Sequence, residues 1–342
     1  MSRSSHSKSP IVPENGIGEN RIMIKIGALF AAALYLASPA ARAQTYPSRQ
    51  ITLIIPFAAG GSNDIIARAI GKELAEAWGQ PVIAENRPGA GGVIGAAAVA
   101  TAPPDGYTLL LVSSTFTINA AIKKTMPFDT AKDFTPIAFV ARSPLLFVSS
   151  KTLAVKSAKE VLALARSKPD QITYASAGIG SINQIAAELI ALSAGVKLMH
   201  VPYKGGAPAL NDLLGGHVDV YVSSMPQVQQ LAQSGQVNAL AVTSVKRTPL
   251  LPDVPTLAES GIPGFDLSSW WGIVGPAGMP PEIVNTLNAA INKTLNSPEI
   301  GKFMASEGAE AQAMTPQQFS DLIHTEIQRW TKVGHDANIS ID

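Results

Sequence analysis

Residues 51–70 read ITLIIPFAAGGSNDIIARAI, and the order of residue types in this stretch decides the architecture. Apolar and β-branched residues over 51–55 form a short buried strand, which Pro56 ends because it has no N–H for a ladder. Gly60 and Gly61 let the backbone turn. Beyond them Ile65, Ile66, Ala69, Ile70, Leu74 and Ala77 recur at helical spacing, while Arg68, Lys72, Glu73 and Glu76 fall mostly outside that stripe. A helix over 63–78 therefore lays one face on a sheet. The turn sits at the carboxyl end of a strand and at the amino end of a helix, where N–H groups lack intrahelical partners and the dipole is partly positive. A carboxylate or phosphate fits such a place. A plain strand-to-helix connection capped by Ser62 or Asn63 needs the same residues, but ligands of open parallel sheets bind at this end of the strands. Asp64 in the first turn reads as a cap that complements the dipole, not as a ligand contact.

The same alternation continues along the chain and predicts α/β architecture with parallel sheets wrapped by helices. Strands over 82–85 and 108–112 accompany a helix over 92–101. A second series follows, with strands over 172–174, 198–201, 218–222 and 237–242 and helices over 181–193, 207–214 and 226–233. Between the series, the apolar stretches 136–140 and 145–149 read as a long extended passage from one lobe to another, and 267–275 as the return. Helices over 280–295 and 316–335 then pack back on the first lobe. The expected organisation is an N-terminal extension and signal over 1–43, lobe I over 44–142 plus 271–342, and lobe II over 143–270. Two crossings between lobes make a hinge around a central cleft.

The chain has 342 residues, long for one ordinary domain and consistent with two lobes. With 26 basic and 25 acidic residues it has a net charge of +1 and no basic tract after the leader, which argues against a nucleic-acid partner. Arg21 and Lys25, the apolar run 26–37 and Ala41-Arg42-Ala43 have the form of a signal peptide cleaved near Ala43, so the mature protein is expected to be exported. Met23 opens a tidy signal of its own and is a candidate start. The run is too short to span a bilayer, which needs ~20 residues, so no membrane span is expected after signal removal. There is no cysteine, which excludes disulfides, thiolate catalysis and lipid attachment through a cysteine.

Other segments are weaker signals. The loop 175–183, ASAGIGSIN, mirrors the first turn, placing Ser176, Gly178, Gly180, Ser181 and Asn183 between a strand and a helix. Ser113, Ser114 and Thr115, with Asn119, end the third strand, where hydroxyls serve a ligand or merely cap. Lys204 beside Gly205-Gly206 reads as a solvated lysine more readily than as an anion contact. The run 85–95, ENRPGAGGVIG, misses the dinucleotide spacing because Ile94 stands where a glycine is needed, and it reads as a structural turn. His6, His200, His217, His324 and His335 show no metal spacing, and there is no G-x-S-x-G elbow. No catalytic residue, metal or cofactor is expected. Trp270 and Trp271 read as core.

Taken together, PFAAGGSNDIIAR, ENRPGAGGVIGA, APPDGYTLL, SAGIGS, VPYKGGAPALNDLLGGHVD and GIVGPAGMPP follow, in order from about Tyr46 to the C-terminus, a known pattern. It resembles that of the tripartite tricarboxylate transporter solute-binding receptors, the Bug proteins. The resemblance implies a type II periplasmic binding protein fold, two Rossmann-like lobes joined by two crossover strands. It implies a monomeric receptor that closes on a small carboxylate, such as a di- or tricarboxylate or an aromatic carboxylate, and delivers it to a membrane permease. The ligand-binding residues it implies are Phe57, Ala58, Ala59, Gly60, Gly61, Ser62 and Asn63 in the first turn, and Gly178, Gly180 and Ser181 in the second loop. Ser114, Thr115, Asn183 and Ser223 complete the candidate set. Gln184 stands where many relatives have histidine, and Ser223 where several have an acidic residue, which disfavours an amino-acid ligand. A sensor for a membrane signalling partner and a small-molecule enzyme using the same cleft are the alternatives.

Overall fold

The computed structural model describes residues 1, 4–10, 46–337 and 339. The signal peptide expected around 21–43 falls outside the described residues. From Tyr46 onward the chain is one compact unit. Its elements, in chain order, open with β1 (Ile51–Ile55), α1 (Ser62–Trp78), β2 (Val82–Asn86), α2 (Val93–Ala100), β3 (Thr108–Ser113), α3 (Ser114–Ile122) and β4 (Phe134–Ser149). Next come α4 (Ala158–Ser167), β5 (Thr173–Ser176), α5 (Ile182–Ala194), β6 (Met199–Pro202), α6 (Gly206–Leu214), β7 (Val220–Ser224), α7 (Met225–Gln233) and β8 (Asn238–Val242). The chain closes with β9 (Ser268–Pro276), α8 (Pro281–Leu295), α9 (Pro298–Ser306), β10 (Glu310–Ala311) and α10 (Pro316–Asp336). No helix among the described residues is long and apolar enough to cross a membrane.

The sheets are mixed and not purely parallel. β2, β1 and β3 are parallel, as are β6, β5 and β7, but β9 runs antiparallel to β3 and β4, and β4 runs antiparallel to β7, β8 and β10. The reason lies in β4, where the two apolar stretches read from sequence form one strand of 16 residues. Its first half pairs with β9, up to Pro144 against Ser268, and from Leu145 it pairs with β7 and β8. Pro144 has no N–H to continue the first ladder. The Leu145 amide instead donates to the Thr243 hydroxyl at 2.8 Å, and the strand changes partners there.

Each strand group is covered on both faces because its strands alternate two sets of apolar side chains. Ile51, Leu53 and Ile55 face Ile66, Ile70 and Leu74 of α1 together with Leu287 and Ile291 of α8, while Ile54 joins Leu110, Val112 and Phe116 on the opposite face. In the second group Leu145 and Phe147 share a cluster with Ile185 and Ile190, and Leu146 and Val148 share another with Leu213 and Tyr221. Helix α10 belongs to both halves: Phe319 and Ile323 pack in the first group, Trp330 in the second. A side chain at Gly272 would enter the Phe319 ring, so glycine in β9 is what lets α10 lie this close.

Helices α3, α4 and α9 are absent from the sequence reading, and for α3 the reason is burial. Ser114, Thr115, Phe116, Thr117, Ile118 and Asn119 are all buried, so the segment has no polar face to reveal its period. Trp270 and Trp271 are buried, as read.

Candidate ligand-binding site

The turn after β1 is held by a polar network in which Asp64 is central. Its carboxylate accepts from the Gly60 amide at 3.0 Å, from Arg68 Nε at 2.9 Å and from Asn86 Nδ2 at 2.9 Å, and Asn86 Nδ2 also donates to the Phe57 carbonyl at 3.0 Å. Burial raises the Asp64 pKa, but the hydrogen bonds from Arg68, Gly60 and Asn86 outweigh it and hold the carboxyl below its ordinary range. Asp64 therefore fixes the turn and occupies the Gly60 amide. The amides of Gly61, Ser62 and Asn63 have no acceptor among the described residues, as the first turn of a helix requires.

Asn63 is the residue on which this site turns. The Trp271 indole N–H donates to its Oδ1 at 3.1 Å. An indole can only donate, so the amide group is oriented with Nδ2 directed elsewhere. That Nδ2 is buried and without a partner among the described residues. Across from it, Ser223 Oγ donates to Gln227 Oε1 at 3.3 Å, and Gln227 Nε2 is likewise buried and unpartnered.

Both amides belong to residues that line a narrow cavity of about 20 Å³ between the two strand groups. Phe57, Gly61, Ser62, Asn63, Ser113, Thr115 and Ser269 come from the first side, and Ala177, Ile182, Asn183, Gly206, Ser224 and Gln227 from the second. Not one lining residue carries a charge. The hydroxyls of Ser113, Thr115, Ser224 and Ser269 belong to buried residues. Fixed neutral donors in a water-poor space favour an anion whose own oxygens accept, because charge-assisted hydrogen bonds are stronger there than in water.

Of the residues expected from sequence, Phe57, Gly61, Ser62, Asn63, Thr115 and Asn183 meet at this cavity, and the others support it from outside. The Ala58 amide donates to the Lys204 carbonyl at 3.3 Å, Ala59 is exposed at the tip of the turn, and Ser114 Oγ accepts from the Trp270 amide at 2.9 Å. The expected second amide cradle is built differently. The Gly178 amide donates to Ser176 Oγ, the Gly180 amide to Gln184 Oε1 and the Ser181 amide to the Gly178 carbonyl, while the Ser181 hydroxyl caps α5. These amides are taken up within the loop. Ser223 is buried behind the cavity, and its neighbour Ser224 lines it, because alternate residues of β7 face opposite sides.

Sequence reasoning raised Ser113 only as a ligand contact or a cap, and it missed Ser224, Ser269, Gln227 and Gly206 as lining residues. Lys204 is exposed, yet the adjoining Gly205-Gly206 packs on the first turn, where a side chain at Gly205 would strike the Ala58 backbone. The run 85–95 is a turn, as read, but Gly91 and Gly92 also line a second, apolar chamber.

The two strand groups meet across these loops. The Ile182 amide donates to Thr115 Oγ1 at 3.1 Å, and Gly91 lies so close to the Ile179 carbonyl that a Cβ there could not be accommodated. Behind the second loop His200 stacks on Tyr174 at 4.7 Å and contacts Ser176 Oγ through Nε2 at 2.7 Å. Burial pushes the His200 imidazole down to about 4. Because its folded value lies below the ordinary ~6.5, the stability it contributes is fully present above about pH 6.5 and lost as pH falls toward 4. The melting temperature should drop across that window. The slope should be shallower in His200→Gln, whose amide can keep the Ser176 contact; equal slopes would remove His200 from the account.

Comparison with known proteins bears on this arrangement. The structure of Rpa4515 from R. palustris with adipate matches with a TM-score of 0.84 at 38% identity, covering 86% of this chain and 99% of that one. The periplasmic binding protein BugD matches with a TM-score of 0.84 at 34% identity, covering 86% and 99%. MatC from Rhodopseudomonas palustris with bound malate matches with a TM-score of 0.81 at 34% identity, covering 84% and 99%. The fold is that of the periplasmic binding proteins. Over residues 66–339 the sequence matches the family model described as tripartite tricarboxylate transporter family receptor, and the chain belongs to that family of TctC or Bug solute receptors, which are binding proteins and not enzymes.

Proposed function

We propose that this receptor captures a small carboxylate in the chamber between the strand groups by closure of two lobes, 44–142 plus 271–342 and 143–270, hinged where β4 and β9 cross. It acts in the periplasm after signal cleavage near Ala43 and hands its ligand to the permease of a tripartite tricarboxylate transporter. The observation that carries this reading is the pair of buried, partnerless amide donors, Asn63 Nδ2 and Gln227 Nε2, on residues that line from opposite sides a cavity without charged side chains. An unpaired buried donor costs about 1–3 kcal/mol, and a ligand carboxylate removes that cost at both. Several charge-assisted bonds at about 1.5–3 kcal/mol each supply the ~8 kcal/mol of a micromolar complex after ordering costs. Closure gives the permease a shape that distinguishes loaded from empty receptor. Relatives bound to adipate and to malate support the same ligand class.

The test is a thermal-shift series on the mature protein with mono-, di-, tri- and aromatic carboxylates, with the corresponding neutral amides as controls. At least one acid should raise the melting temperature with concentration, and its amide should not. A series in which no acid does so, or in which amides match acids, defeats the reading.

A further inference from the structure

A further cavity, of about 180 Å³, lies where β4 and β9 cross. One water occupies ~10–15 Å³ of such space, so a molecule of amino-acid size has room. Arg142 of β4 pairs in register with Trp270 of β9, and both line the cavity. From Leu145, just beyond, β4 leaves β9 for β7 and β8. Helix α10, which packs on both strand groups, lines it with Leu322, Glu326 and Arg329. Arg142, Asp266, Glu326 and Arg329 are its charged residues, and two of them satisfy each other. Glu326 accepts from Arg329 Nη1 at 3.3 Å and from the Trp330 indole at 3.0 Å. The other two are unmatched. Arg142 donates to the neutral Gln312 Oε1 at 2.5 Å, and among the described residues it has no carboxylate partner, while Asp266 has no hydrogen-bond or ion-pair partner at all. Arg142 belongs to the first proposed lobe and Asp266 to the second.

We infer that this cavity is a second binding site, for a small zwitterion such as an α-amino acid with an apolar side chain, and that its occupant strengthens carboxylate binding in the cleft. The coupling rests on the reading of the protein as a receptor hinged at this crossing. The ligand's carboxylate takes the planar fork of Arg142, which suits two parallel hydrogen bonds, and its ammonium takes Asp266. Phe139, Trp270 and Leu322 receive the side chain. A ligand with one charge would leave either Arg142 or Asp266 unmatched. Rotation about the crossing changes the separation of these two residues, so a molecule held by both ends favours the form in which the Ile182 amide reaches Thr115. The strand also links the two sites directly. Ser269 lines both cavities, Trp270 lines this one, and the next residue, Trp271, donates to Asn63 in the other.

Calorimetry with L-leucine and L-phenylalanine on the mature protein tests the site, first alone and then with the cleft saturated by whichever acid shifts the melting curve. At least one amino acid should bind the saturated protein and should raise the affinity for the acid about 5-fold. Leucinamide and N-acetyl-leucine, each lacking one charge, should bind the saturated protein more weakly than leucine. Arg142 and Asp266 are exposed, so Arg142→Gln and Asp266→Asn leave the fold intact. Each should weaken amino-acid binding about 10-fold, as loss of a charge-assisted hydrogen bond requires, and leave the affinity for the acid alone unchanged. Failure of both amino acids to bind, displacement of the acid by them, or binding that neither substitution weakens would overturn the inference. An acid affinity that the amino acid does not alter would refute the coupling across the hinge. Should no acid bind, the carboxylate reading falls by itself, and leucine titrated into wild type and Asp266→Asn still decides whether the cavity is a site.

Discussion

Asn63→Asp is expected to reduce carboxylate affinity by at least ~100-fold, about 2.8 kcal/mol at about 1.4 kcal/mol per tenfold. The substitution keeps an oxygen to accept from the Trp271 indole, so the contact that anchors residue 63 survives. It replaces the unpartnered Nδ2 donor by an anionic oxygen in a cavity with no charged lining residue. Losing a charge-assisted hydrogen bond costs about 1.5–3 kcal/mol. Two like charges near 4 Å add about 4 kcal/mol of repulsion at an effective dielectric of about 20. Calorimetric titration with whichever acid shifts the wild-type melting curve measures the outcome. Affinity within threefold of wild type would mean that the carboxylate is held elsewhere.

Gly91→Ala should abolish closure with little effect on the unliganded fold. Gly91 has a φ of +64° and sits against the Ile179 carbonyl across the seam between the strand groups. An alanine methyl there would enter the van der Waals envelope of a backbone oxygen, which cannot rotate away as a flexible side chain could. The cost of a left-handed alanine, about 1–2 kcal/mol, is present whether the cleft is open or closed and cancels in binding. Opening of the proposed hinge would part Gly91 from Ile179, so the collision would exist only in the closed form. Ligand should therefore fail to compact the variant in small-angle scattering and should bind at least ~100-fold more weakly, again about 2.8 kcal/mol. Compaction equal to that of wild type would refute a hinge that closes at this seam.

These two residues differ in how visible their roles are in sequence. Asn63 sits where a strand, a glycine turn and a helix are written consecutively, so a local reading finds it. Gly91 belongs to a glycine-rich run whose spacing only argues against dinucleotide binding. Its importance comes from Ile179, 88 positions away, and no local pattern records that approach. Gln227 is similar: on helix α7 it looks like any surface glutamine until Ser223 takes its oxygen and leaves its nitrogen buried without a partner among the described residues.

The sequence alone was enough for most of the order of strands and helices, though not for α3, α4, α9 or β10, and for the first turn as a candidate place for an anion. Those features depend on residues within a few positions of each other, whose periodicity and backbone preferences act locally. Tertiary structure alone decided which amides stay free and which half of β4 belongs to which sheet. It alone set the antiparallel crossing strands between the parallel groups and the burial of α3. The Gly178, Gly180 and Ser181 amides looked available in sequence, yet each finds an acceptor within the folded loop. Hydrogen-bond availability is what remains after every neighbour in space has been satisfied, and those neighbours are assembled only when distant segments pack.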